Sequence, residues 1–225
     1  MKPIDISILL ACECSGVIRE ALRARGFNAI SCDLKEAEDN SPHHIQGDVL
    51  GVLGYHSPGN LGTDGWRTDR RWHAMIAHPE CRYMSVSGLH WNGRVPGRAQ
   101  KTAEAIAFAK KLWEAPIEHI AIENPVSCLW AALGTKAHYI QPHQFGADAS
   151  KATGFALKGF PPLVPTEHIA PRMVNGKPRW SNQTDSGQNR LGPSPTRSAD
   201  RARTYPGIAA AIAQQWGDYL LEVYK

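Results

Sequence analysis

The stretch Ala74-Met75-Ile76-Ala77-His78-Pro79-Glu80-Cys81 changes character at its midpoint. Four apolar residues give way at once to polar and reactive ones. A short unbroken apolar run fits a strand buried on both faces, as in the middle of a parallel sheet. The polar tail then lies just past the carboxyl end of that strand, where open α/β sheets place their ligands.

The same design recurs on both sides of this stretch. Residues 6–11 form an apolar run followed by Cys12, Glu13 and Cys14, and residues 27–32 form another that ends at Asp33. A short third strand is predicted to end near Val49, just past Asp48. Residues 117–122 form a fifth strand ending at Glu123-Asn124-Pro125, and residues 137–142 and 153–157 look strand-like. Helical patterns separate these runs. Residues 17–25 are stopped by Gly26, and residues 99–113 put Ile106, Ala109, Leu112 and Trp113 on one face. A last helix opens at Pro206 with the stripe Ile208, Ile212, Trp216, Leu220 and Val223. Strands alternating with helices predict an α/β domain with a mostly parallel sheet. Residues 51–71, 88–98 and 161–203 read as loops, the last rich in Pro, Gly, Ser, Asn and Arg.

The chain has 225 residues, of which 42% are hydrophobic and 20% charged, enough for one good-sized soluble domain. No apolar run approaches the ~18–20 residues of a membrane helix. The apolar stretch 6–12 is too short for a signal peptide. The chain is therefore expected in the cytosol, with no membrane partner. Five cysteines without a CxxC pair suit free thiols in a reducing compartment. No metal is expected, because His43, His44, His78 and His90 fit no common ligand spacing.

Charge is unevenly placed. Residues 170–203 hold Arg172, Lys177, Arg179, Arg190, Arg197, Arg201 and Arg203 against Asp185 and Asp200. That is a net +5 in a chain whose total is +4, so the remainder sums to −1. A local basic segment points to a polyanion, against the plainer reading of a solvated loop.

The run Pro79-Glu80-Cys81-Arg82-Tyr83-Met84-Ser85-Val86-Ser87-Gly88 resembles the Pro-Cys-Gln-x-x-Ser-x-x-Gly motif of the DNA cytosine-5 methyltransferases, with Cys81, Ser85 and Gly88 in register. Glu123-Asn124-Pro125, after the next strand, resembles that family's Glu-Asn-Val. Softer matches follow in the family's order. Cys14-Ser15-Gly16 sits at the cofactor loop, Asp33 at the ribose acid and Gly47-Asp48 at the adenine side. Phe145-Gly146 with Ser150-Lys151-Ala152-Thr153 and Tyr205-Pro206-Gly207 complete the series. The chain is most similar to short phage and prophage members. It departs in Glu80, in a single cofactor-loop glycine, in Lys151 and Thr153 where the family has arginines, and in lacking a large target-recognition domain.

The resemblance implies a Rossmann-like, S-adenosylmethionine-dependent methyltransferase fold, with a catalytic domain over 1–160 and 204–225. Residues 161–203 stand in for the recognition domain. It implies Cys81 as nucleophile toward carbon 6 of cytosine, Glu123 at ring nitrogen 3, Asn124 as orienter and Lys151 as a cation for the ring carbonyl. Cys14, Ser15, Gly16, Asp33, Asp48, His78, Pro79 and Gly207 are implied at the cofactor. Ser85, Arg172, Arg179, Trp180, Arg190 and Arg197 are expected at duplex or single-stranded DNA, the cytosine being extruded from a duplex. Trp180 packed on the domain is the plainer alternative. Modification of a free pyrimidine nucleotide, and a non-catalytic nucleic-acid-binding role, remain rival readings. The oligomeric state is left open.

Overall fold

A computed structural model of the chain describes residues 1–55, 71–194 and 197–225. The strands are β1 (Ser7–Ala11), β2 (Asn28–Asp33), β3 (His44–Gln46), β4 (Ala74–Ala77), β5 (His119–Asn124), β6 (His138–Ile140), β7 (Thr153–Lys158), β8 (Arg172–Val174) and β9 (Lys177–Arg179). The helices are α1 (Val17–Ala24), α2 (Val49–Val52), α3 (Val86–Leu89), α4 (Arg98–Trp113), α5 (Leu129–Ala132), α6 (Arg197–Ala202), α7 (Pro206–Ala211) and α8 (Gly217–Val223).

Seven strands form one sheet in the order β3-β2-β1-β4-β5-β7-β6. The first five run parallel, and β7 is inserted antiparallel between β5 and β6. This is the Rossmann-like α/β fold expected from the sequence. Alternate residues of the buried β1 serve two cores. Ile8 and Leu10 join Ile18, Leu22 and Trp216 on one face, while Leu9 and Ala11 join Leu112, Ile120 and Leu129 on the other. Period-two alternation sends neighbours to opposite faces, so an all-apolar strand needs helices on both sides. Among the described residues, no helix is long and apolar enough to cross a membrane.

Four expectations need correction. The expected loop 161–203 contains the hairpin β8–β9 and the helix α6. The third strand ends at Gln46, and Asp48 instead caps α2 by accepting a hydrogen bond from Leu50 N at 3.0 Å. Most of the expected loop 51–71 lies outside the described residues, and its first residues belong to the end of α2. The expected loop 88–98 begins inside α3.

The C-terminal helix is also not uniform. Its apolar residues recur every four positions, and each step overshoots a 3.6-residue turn by about 40°. A π-helical turn over Ile212–Trp216 takes up the excess, and Ile208, Ile212, Trp216 and Leu220 all stay buried, whereas Val223 is exposed. Arg25 donates to the carbonyls of Ala213 and Gln214 and pairs with Asp218.

The segment after β7 is stitched to the domain. Trp216 Nε1 donates to Pro161 O at 2.9 Å, and Gln215 exchanges two 2.8 Å bonds with the backbone of Val164. The start of α7 presses on Phe145, where a Cβ added at Gly207 would fall 1.8 Å from the Phe145 carbonyl oxygen. Backbone cannot yield as a side-chain tip can. A Gly207→Ala variant is therefore expected to lose about 3 kcal/mol of stability, the upper range for an overpacked site, in chemical denaturation. An unchanged denaturation midpoint would contradict this packing.

Candidate active site

Cys81, Glu123 and Lys151 are far apart in the chain, and the sheet brings them to one end. The parallel β4–β5 register pairs Ala77 with Ile122. Glu123 is therefore the next residue on β5, and Cys81 lies four residues past Ala77. The chain then turns tightly, with Met84 N and Ser85 N both donating to Cys81 O at 3.0 and 2.9 Å. That turn is laced to the segment after β5. Val86 N donates to Val126 O, and Met84 O accepts from Cys128 N and Ser127 Oγ, each at 3.0 Å. Asn124, fully buried, closes the seam by donating from Nδ2 to Pro79 O at 3.2 Å.

Lys151 arrives from the other direction. Strand β7 is antiparallel to β5 and pairs Phe155 with Glu123, so the residues ahead of β7 lie over the end of β5. Gln141 Oε1 accepts from Lys151 N at 2.9 Å and fixes the backbone there. His78, Glu123, Lys151, Thr153, Phe155 and Tyr205 line a small cleft at this place. His78 Nδ1 is 3.5 Å from Glu123 Oε2.

The charges are coupled. The surrounding protein, and next the Glu123 carboxylate, hold the Cys81 thiol above its ordinary value; Lys151 opposes them, and neighbouring Glu80 adds the least. Burial pushes the Lys151 ammonium down, against the pull of Glu123 and Cys81.

The ends of β1, β2 and β3 form an adjoining acidic mouth. Cys12 is held at φ 58, a strained setting for a non-glycine residue. Burial, then Asp33, raise its thiol, with Asp48 also contributing, so both acids stand close by. Burial pushes the Cys32 thiol up to about 12. Asp33 Oδ1 accepts from Lys35 N at 2.9 Å. Glu13 is buried, and its Oε1 accepts from Ser15 Oγ and, at 2.7 Å, from Gly16 N. Cys14 O accepts from Glu38 N at 2.9 Å, which draws the loop after β2 over the mouth. That loop is pinned by Arg19–Asp39 and Arg203–Glu38 ion pairs. A Cβ on Gly16 would collide with Arg19 and Asp39, which accounts for a glycine there at φ 76.

The expected site residues thus fall into groups. Cys81, Glu123 and Lys151 converge, and Asn124 braces the Cys81 turn through Pro79 O. Cys14, Ser15, Gly16, Asp33 and Asp48 gather at the neighbouring mouth. His78 and Pro79, expected at the cofactor, sit in the seam between Cys81 and Glu123. Gly207 has a packing role against Phe145. Ser85 belongs to the Cys81 turn, with Oγ 3.0 Å from Ser87 Oγ.

The basic segment is partly self-satisfied. Arg172 pairs with Asp185 at 2.6 Å, and Arg179, Arg190 and Arg197 donate to the carbonyls of Asp185, Gln183 and Leu191. Trp180 stacks on His143 at 4.1 Å and donates to Ile169 O, so one face of its ring is covered. Asn182 exchanges two 2.9 Å bonds with the Ser150 backbone, which brings this segment beside Lys151.

Two features are not apparent from the strand and helix patterns. The β8–β9 hairpin is signalled only by Val174-Asn175-Gly176-Lys177, whose Asn175 and Gly176 both take positive φ (49 and 73) as a tight hairpin turn requires. Following Cys81 lies a second cationic surface, with Arg82, Arg94, Arg98 and Lys101 and no carboxylate between residues 82 and 103. Arg82, Arg98 and Lys101 all lie within 5.8 Å of the Tyr83 ring centroid, and Arg94 is 5.8 Å from that of the exposed Trp91.

No family model and no curated protein matches the chain. Solved structures with partial likeness include a candidate DNA modification methyltransferase encoded within an E. coli prophage (12% identity, 68% of this chain and 46% of that one, TM-score 0.43). Others are the Entamoeba histolytica methyltransferase EhMeth (16%, 73% and 58%, 0.47) and S. pombe Dnmt2 methyltransferase (16%, 69% and 50%, 0.38). The overlaps span about half the length of these proteins and carry no argument about activity.

The electrostatics predict an order of thiol reactivity. At a fixed pH below the Cys81 pKa, Glu123→Gln should speed alkylation of Cys81 by iodoacetamide, because a charge opposing the thiolate is gone. Lys151→Ala should slow it, and Glu80→Gln should speed it less than Glu123→Gln. Rates followed by mass spectrometry across pH check this. A larger effect from Glu80 than from Glu123 would contradict the geometry.

Proposed function

We propose that this chain methylates carbon 5 of cytosine in DNA through a covalent Cys81 adduct, using S-adenosylmethionine. The convergence of Cys81, Glu123 and Lys151 beside an acidic strand-end mouth carries this reading. Acids at the mouth suit a cofactor that bears sulfonium and ammonium charges. Asp33 would hold the ribose, Asp48 the adenine side, and Glu13 with Gly16 the methionine end. When bound, the cofactor supplies an electrophilic methyl group.

Carbon 5 of cytosine is a weak nucleophile. Addition of the Cys81 thiolate to carbon 6 makes it enamine-like. Glu123, in its protonated form, hydrogen-bonds ring nitrogen 3 and shares its proton as charge builds there. A Glu123 that has lost its negative charge no longer opposes the Cys81 thiolate, so the two steps assist each other. Lys151 offers a cation to the ring carbonyl, and Asn124 holds the Pro79–Cys81 turn against Glu123. After methyl transfer a base removes the carbon 5 proton, the bond to Cys81 breaks, and the thiolate is restored.

DNA is the preferred substrate because two basic segments adjoin the site: residues 82–101 follow Cys81 directly, and the segment 161–203, standing where the family has its recognition domain, is bonded through Asn182 to Ser150 beside Lys151. A free pyrimidine nucleotide is the second reading, supported by the internal bonds that occupy Arg172, Arg179, Arg190 and Arg197. Tritium transfer from labelled S-adenosylmethionine to duplex DNA, single-stranded DNA and dCMP separates them. We expect label in DNA and none with Cys81→Ser. Label in dCMP alone would favour the nucleotide, and label with Cys81→Ser would overturn the mechanism.

The surface after Cys81 has its own test. Trp91→Ala should weaken single-stranded DNA binding by about 1–3 kcal/mol if a base stacks there. Arg94→Ala with Lys101→Ala should flatten the log–log salt dependence on duplex DNA by about 0.9 for each phosphate that these side chains neutralise. Affinity for S-adenosylhomocysteine should not change in either variant. DNA binding equal to native would remove this face from the interface.

A further inference from the structure

Glu13 holds a carboxylate oxygen for which the fold provides no use. The residue is only 7% exposed. Its Oε1 accepts from Ser15 Oγ and Gly16 N. Its Oε2 is enclosed and has no hydrogen-bond partner among the described residues. A buried, unpaired carboxylate oxygen is costly, and folds seldom retain one without a ligand or a counter-charge. The nearby guanidinium of Arg19 does not compensate it, being engaged by Glu20, Asp39 and Ser31. Around the adjoining Cys14 the charges are those of Asp33, Glu38 and Glu13 itself, against the cation of Lys35.

The position adds to this. Glu13 follows β1 directly, behind the strained Cys12, and its backbone N–H reaches across to Cys32 O at 3.3 Å. It thus lies at the centre of the mouth formed by β1 and β2, one turn before α1. A negative oxygen enclosed there calls for a small cation with several N–H donors.

We propose that Glu13 Oε2 receives the α-ammonium group of the amino-acid half of S-adenosylmethionine. Glu13 is then a cofactor-binding residue as well as the brace of the Ser15–Gly16 turn, one oxygen serving each task. This rests on the cofactor reading given above. It also gives a chain with a single glycine in that loop an anchor for the methionine end that does not depend on close backbone approach.

The test uses two ligands with the same nucleoside and sulfur. S-adenosylhomocysteine carries the ammonium, and 5′-methylthioadenosine lacks the whole amino-acid half. By calorimetry, Glu13→Gln should weaken S-adenosylhomocysteine about tenfold or more, the scale of a lost charge-assisted hydrogen bond, and leave 5′-methylthioadenosine unchanged. Ser15→Ala, which removes a donor to Oε1 only, should affect both ligands alike. If Glu13→Gln weakens both equally, Glu13 is a loop brace alone; if it weakens neither, the assignment is wrong. Should that variant fail to fold, the native protein still decides. The 2-oxo analogue of S-adenosylhomocysteine, which lacks only the amine, should bind about tenfold or more weakly than the parent, and equal affinity would overturn the proposal. A native protein that binds none of these ligands refutes the cofactor reading itself, and Glu13 loses its ligand with it. Binding of 5′-methylthioadenosine with no gain for the ammonium-bearing ligand refutes only the role of Glu13.

Discussion

The parallel pairing of β4 with β5 is the constraint on which the site rests. It sets Ala77 beside Ile122 and so puts the residues past Ala77 on one shelf with Glu123 and Asn124, the last two residues of β5. Pairing alone would leave the Cys81 turn free to swing. The Asn124 amide to Pro79 O and the backbone lacing of residues 84–86 to 126–128 remove that freedom. Asn124 is buried on all sides, and a buried hydrogen bond costs more to break than an exposed one, because a partner is left without water. Glu123 and Asn124 are neighbours in one strand, and alternation sends them opposite ways. One faces the cleft and the other locks the scaffold behind it.

The second organising fact is that the thiol and the carboxylate oppose each other. Glu123 raises the Cys81 thiol more than adjacent Glu80 does, although Glu80 is bonded to it in sequence. Exposed Glu80 is screened by solvent, while Glu123 acts across a half-buried cleft. An idle site that disfavours its own thiolate also limits adventitious oxidation and alkylation. The opposition disappears when a proton sits on Glu123, the same form that the ring of cytosine would need. On the proposed function, substrate recognition and nucleophile activation would then be one event.

Much of this is legible in the chain. The strand-end residues of β1, β2, β4 and β5 stand out because buried strands are short apolar runs with abrupt polar ends, whereas the short β3 (His44–Gln46) is not such a run and its end is misplaced. Local spacing also locates α1, α4 and the start of the last helix. What stays hidden is long-range or requires backbone detail. The π turn at Ile212–Trp216 is implicit in an apolar spacing of four, yet that spacing also suits a plain helix. The Asn175-Gly176 hairpin is submerged in a basic, Pro- and Gly-rich context. The internal bonds of Arg172, Arg179, Arg190 and Arg197 are invisible, because charge counting treats every arginine as available to a partner. The Glu13 carboxylate looks like any strand-end acid until its two oxygens prove to have different surroundings.

Covalent capture tests the Cys81 mechanism without intermediary. Native protein would be incubated with S-adenosylmethionine and an oligonucleotide carrying 5-fluorocytosine, where the fluorine blocks the final elimination. The adduct would then be digested and mapped by mass spectrometry. The expected result is a stable protein–DNA adduct that depends on S-adenosylmethionine, with the modified cytosine on the peptide containing Cys81. An adduct on another residue, or its formation by Cys81→Ser protein, would contradict the mechanism.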